Sequence, residues 1–82
     1  MSIYDPLKMR LMAITESSLT LSFAEIEKLT GQPLPKSAYE YEAWWSNEDP
    51  TKTTHSQSKA WTTVGFDAQV SLERRQVIFR RR

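Results

Sequence analysis

Residue types able to carry acid–base or nucleophilic chemistry are few in this chain. His55 is the single imidazole, there is no cysteine, and Ser56 and Ser58 stand beside the histidine. A serine nucleophile needs a base held against it in a fixed orientation, and these two flank His55 too closely along one helix for that. The carboxylate pairs Glu40 with Glu42 and Glu48 with Asp49 are spaced as surface charges usually are. A metal centre would have to combine His55 with carboxylates of the 46–53 segment, without the tight spacing of ligand motifs. The chain therefore reads as a non-enzyme without cofactor or metal. His55, near a helix start, reads as a hydrogen-bonding residue, directed either into the protein or to a ligand.

What the residues do offer is polar recognition. In HSQSKAWTTV, residues 55–64, helical spacing turns Ala60, Trp61 and Val64 inward and Ser56, Lys59, Thr62 and Thr63 outward, with His55 and Gln57 near the N-terminus. That outward surface is short, polar and free of carboxylates. Gln pairs bidentately with adenine, Lys or His meets guanine, and short hydroxyls reach base edges in a major groove. Basic groups elsewhere fit the same partner. Residues 1–50 carry four Lys/Arg and eight Asp/Glu, whereas residues 51–82 carry seven and two. A charge split of this kind points to a polyanion. Arg74 and Arg75 sit together between two strand-like runs, and Arg80, Arg81 and Arg82 end the chain as a basic tail.

Local signals set out the elements that must position these groups. Asp5 and Pro6 open a helix with Leu7, Leu11 and Ile14 as its stripe. Leu19–Leu21 is a short alternating strand that runs into Ser22, and Ser22 with Glu25 has the Ser-x-x-Glu spacing of a capping box. The helix so opened carries Phe23, Ile26 and Leu29 on one face and closes at Gly31. Ser37 with Glu40 predicts a third helix through AYEYEAWW, and Thr54 with Gln57 a fourth, closed by Gly65. FDAQVSL alternates strictly from Phe66, and QVIFR resumes after the Arg74/Arg75 turn, which predicts a C-terminal hairpin over 66–72 and 76–81. Leu7, Leu11, Phe23, Ile26, Leu29, Trp61, Phe66, Val70 and Phe79 are the expected core.

Helix, strand, helix, helix, loop, helix, hairpin is, apart from the extra third helix, the order of a winged helix-turn-helix. The predicted fold class is α+β and winged helix-turn-helix-like, with four helices, a small antiparallel sheet and a C-terminal β-hairpin. In that arrangement the helix at 55–64 reads DNA and the Arg74/Arg75 tip is the wing. The expected nucleic-acid contacts are His55, Ser56, Gln57, Lys59, Thr62, Thr63, Arg74, Arg75 and Arg80.

The adjacent Trp44 and Trp45 pose a separate question, because neighbouring side chains on a helix diverge by roughly 100°. Trp45 shares a stripe with Ala38 and Tyr41, so it is the one expected to be buried. Trp44 either closes a seam under the 46–53 loop or offers a flat face to a base or a partner side chain. Trp44, Asn47 and Lys52 are thus candidate contacts to a ligand or a protein partner.

The runs LSFAEIEKLTG, PLPKSA, WWSN, HSQSKAW and VIFRR, spanning residues 4–80, resemble a family of small uncharacterised bacterial domains. Its members occur alone or appended to other modules, including GIY-YIG-type nuclease domains. That association implies a DNA-facing role. The loop between Asn47 and His55 is somewhat longer here than the family pattern.

Composition bounds the rest. Eighty-two residues make one domain, near the small end of what holds a single core. Without cysteine, the nine aromatic residues must supply much of the stabilisation. No apolar stretch suits a membrane span and no secretory signal opens the chain, so a cytoplasmic protein is expected. The function expected is non-enzymatic binding of duplex DNA. A protein-interaction module, such as a phage or host defence or regulatory factor docking through the same polar helix and Trp44, is the alternative.

Overall fold

The Ser22–Glu25 signal forms as a complete capping box: Glu25 N–H donates to Ser22 Oγ at 3.0 Å and Ser22 N–H to Glu25 Oε1 at 2.9 Å. The computed structural model describes residues 2–82 and places this box at the start of the second helix. In chain order the elements are α1 (Asp5–Ala13), β1 (Ser18–Ser22), α2 (Phe23–Thr30), α3 (Lys36–Glu40), a 3-10 turn (Glu42–Trp45), α4 (Ser56–Thr62), β2 (Phe66–Ser71) and β3 (Gln76–Arg81). The fold is a small α+β domain of four helices and one antiparallel sheet. Gly31 ends α2 at φ 73°, a left-handed turn that lets its N–H reach Glu27 C=O.

The sheet runs in the order β1-β3-β2. Its register puts Leu19 and Leu21 beside Phe79 and Val77, which in turn lie beside Ala68 and Val70. This is the inward face, covered by the helices. The opposite face carries Ser18, Arg80 and Asp67, then Thr20, Ile78 and Gln69. Strict alternation in the sequence thus becomes an apolar face and a polar one.

Leu7, Leu11, Phe23, Ile26, Trp61, Phe66 and Phe79 are all buried in one core, joined by Tyr4, Ile14, Leu21, Leu34, Trp45 and Val77. Leu29 and Val70 lie half-buried at its rim. Six aromatic contacts run through it and its rim, with Trp45 stacked on Phe23 at 5.1 Å and on Trp61 at 5.9 Å between ring centroids.

Three expectations are corrected. The third helix is not continuous: Tyr41 is extended, at φ −128° and ψ 123°, and splits it into α3 and the 3-10 turn. Tyr41 consequently points to solvent, not along a stripe with Ala38 and Trp45. Neither the Ser37/Glu40 nor the Thr54/Gln57 capping box forms, because α3 already begins at Lys36 and α4 begins at Ser56 with His55 as its cap residue. Residues 80–82 are not a free tail. Arg81 N–H donates to Ser17 C=O and its guanidinium to Ile14 C=O while lying 4.7 Å from the Phe66 ring centre. Arg82 pairs with Asp67 at 2.8 Å.

Candidate nucleic-acid interface

The 3-10 turn answers why two tryptophans are adjacent. Its tighter winding lets both indoles enter the same cluster, their centroids 4.6 Å apart and their planes at 72°. Trp45 is 2% exposed and donates from Nε1 to Ala38 C=O at 2.9 Å. Trp44 is half-buried and meets Tyr4 edge-on at 5.8 Å. It closes a seam between the turn and the residue that starts α1.

Past the turn, the WWSN and HSQSKAW segments hold one another. Asn47 Oδ1 accepts from Trp61 Nε1 at 2.9 Å and from Ala68 N–H at 2.6 Å, and Asn47 Nδ2 donates to Ala68 C=O at 3.1 Å. Its amide pairs with the outer edge of β2 as a neighbouring strand would. Ser58, fully buried on α4, donates to Ser46 C=O at 2.9 Å and accepts from Glu48 N–H at 3.1 Å. His55 Nδ1 meets Glu48 Oε1 at 2.7 Å. That hydrogen bond, with a smaller one from Thr53, holds the Glu48 carboxyl below the usual carboxylate range. The polar atoms of Asn47 are therefore engaged within the fold, while the residue itself is exposed. His55 keeps Nε2 at an exposed position.

These ties fix α4 from behind. Ala60 and Trp61 face the core as expected. Thr62 also faces in, with its hydroxyl donating to Ser58 C=O at 2.8 Å. Thr62 was expected outward and is not available to a ligand. The stripe that remains in solvent is Ser56, Lys59 and Thr63, with His55 exposed and Gln57 half-buried beside it. These residues adjoin α1, which packs against α4. Ser56, Lys59 and Thr63 line a shallow cleft of about 190 Å³ together with Ser2, Asp5 and Lys8. The helix itself bears no carboxylate. Asp5 nevertheless brings one to the cleft, and Lys8 a second ammonium group. Neither was predicted, because no local signal pairs residues 2–8 with residues 56–63.

The basic groups on the sheet divide. Arg74 stands exposed in the turn between β2 and β3, where its N–H donates to Ser71 Oγ at 3.2 Å. Arg75 has φ 53°, its C=O accepts from Phe23 N–H at 2.8 Å, and its guanidinium lies 5.3 Å from the Tyr39 ring centre. Burial, and then the hydrogen bond to Glu27, push the Tyr39 phenol up. Arg80 projects from the polar face of the sheet and donates from Nε to Gln69 at 2.9 Å. That face is turned away from the helical layer carrying α4, so Arg80 is not brought together with the α4 stripe. Lys52 lies exposed in the turn after Asp49. The strand β2, about 20 Å long at ~3.3 Å per residue, separates the end of α4 from the Arg74 turn. Among the described residues, no three His, Asp or Glu side chains converge where a metal ion would sit. No helix among them is long and apolar enough to cross a membrane.

The fold and this surface define a small α+β domain whose motif residues chiefly lock a polar helix onto a three-stranded sheet. The chain belongs to the family described as a domain of unknown function (DUF7662), whose model matches residues 4–82. No curated protein and no solved structure matches the chain.

Proposed function

We propose that this domain binds duplex DNA without catalysing a reaction, as a winged-helix-like module with α4 in the major groove and the 72–75 turn as its wing. The observation that carries the proposal is the α4 stripe. Ser56, Lys59 and Thr63, flanked by His55 and Gln57, form a helix surface that bears no carboxylate of its own, with Asp5 across the cleft and Glu48 on His55, and it is held rigid by Ser58, Trp61 and Thr62. The sheet order β1-β3-β2 and the position of α4 directly before the hairpin support it. So does the spacing of the two basic positions. Lys59 meets the groove while Arg74, a strand length away, meets the flanking backbone. Arg75 positions the wing through Tyr39 and the start of α2.

Fluorescence anisotropy with labelled random duplex DNA tests this on the parent, Lys59→Ala and Arg74→Ala. Each variant should bind more weakly on every sequence and lose about one unit of salt slope per phosphate contact removed. Gln57→Ala should relax discrimination at one base pair by roughly 1–3 kcal/mol. Lys59→Ala and Arg74→Ala proteins that fold and bind as the parent does would remove the DNA reading. A protein-interaction role draws on a different feature: Ile3, Met9 and Met12, on and beside α1, are 46%, 67% and 64% exposed, and Ile3 and Met9 line a second cleft that shares Ser2 and Asp5 with the α4 cleft. Adaptable methionines at an exposed surface suit protein docking.

A further inference from the structure

The two edges of the sheet are treated differently. In antiparallel pairing, residues alternate between those that bond to the neighbour and those whose N–H and C=O point the other way. Arg81 N–H donates to Ser17 C=O and Phe23 N–H to Arg75 C=O, so in β1 the odd-numbered residues bond to β3. Ser18 and Thr20 therefore turn their N–H and C=O groups outward. By the same logic Arg82 N–H bonded to Gly65 C=O leaves Phe66, Ala68 and Val70 outward on β2. There the Asn47 amide covers Ala68. Among the described residues nothing bonds the outward groups of Ser18 and Thr20, and both residues are exposed.

We infer that β1 pairs with β1 of a second copy of this chain, making one continuous six-stranded sheet across a two-fold axis. The open groups fix the register. Ser22 is already committed, since its N–H bonds to Glu25 and its C=O opens α2. With the axis at Leu19, Ser18 of each copy faces Thr20 of the other, and each facing pair exchanges two N–H···O=C bonds. All four open groups of each copy are then used. Leu19, half-buried in one copy, packs against its own symmetry mate on the helical side.

Beside the open edge lies a groove of about 420 Å³ with Leu21 and Leu29 on its floor and Arg10, Lys28 and Glu25 around it. In this register Ser17 of the second copy comes opposite Leu21, on the groove side, and Glu16 comes opposite Ser22. A self-complementary surface is what a two-fold interface requires. This inference stands apart from DNA binding, because it rests on the backbone of β1.

Sedimentation equilibrium over a wide concentration range, with amide hydrogen exchange read at Ser18 and Thr20, tests it. The parent should show a dimer mass at high concentration, and both amides should become protected as the dimer forms. Thr20→Pro removes the outward N–H without touching a bond to β3, as an edge strand allows. It should raise the dimer Kd by at least about tenfold with the monomer's circular dichroism unchanged. Leu19→Lys, which sets two ammonium groups against each other at the axis, should do the same. A monomer at all concentrations with fast exchange at both amides would overturn the inference. So would a dimer that persists in both variants, or protection of these amides only when a different chain is added.

Discussion

Replacing Asn47 by alanine should destabilise the domain far more than loss of an exposed polar residue ordinarily does. Three hydrogen bonds end on this one amide, from Trp61 Nε1, from Ala68 N–H and to Ala68 C=O. The Ala68 groups face the sheet edge and regain water, so the loss there is about 0.5–1.5 kcal/mol per bond at most. Trp61 differs, because its side chain is fully buried and its indole N–H is left without a partner, at about 1–3 kcal/mol. The sum is about 2–6 kcal/mol, a large fraction of the ~5–15 kcal/mol that holds a native domain together. At ~4–8 °C per kcal/mol for a domain of this size, Tm should fall by at least about 8 °C. Urea unfolding followed by tryptophan fluorescence measures it directly. An Asn47→Ala midpoint within about 0.5 kcal/mol of the parent would show that the loop 46–55 is not anchored through this amide.

Trp45→Phe should cost more stability than Trp44→Phe, since only Trp45 is sealed between Phe23 and Trp61 with its indole bonded to Ala38; acrylamide quenching should lose its most accessible component in Trp44→Phe. Thr62→Val should leave DNA affinity unchanged, because the hydroxyl is turned into the fold toward Ser58; a weakened complex from a folded variant would put Thr62 on the binding surface after all. Glu48 has a folded pKa below the ordinary carboxylate value, so its contribution is present above that ordinary value and is lost as pH falls through the lowered one. The Tm difference between parent and Glu48→Gln should therefore close on acidification, and a difference that is the same at every pH would break the link to His55.

Local pattern carried most of the architecture. The Ser22–Glu25 box, the Gly31 stop and the alternation from Phe66 are all decided within a few residues of chain, and each forms where the spacing puts it. The sites failed where the deciding contact is distant in sequence. Nothing near Asn47 announces that its partner is Ala68, and nothing near Ser56 announces that Asp5 and Lys8 lie across from it. Thr62 was misplaced because helical spacing leaves it at the border of the inward stripe, and its hydroxyl is satisfied by Ser58 C=O one turn back, which makes burial of a threonine inexpensive. The Ser37/Glu40 signal gave way because Pro35 caps α3 from outside and starts it at Lys36. The motifs that looked like a ligand site, WWSN and HSQSKAW, are matched to each other.

The slope of log affinity against log salt for random duplex DNA bears most directly on the central claim. If α4 and the Arg74 turn meet phosphates, binding should weaken steeply with salt, by about 0.9 log units per decade for each phosphate neutralised, and two or more contacts are expected. A flat slope, or no binding at low salt by a protein that unfolds cooperatively, would contradict it.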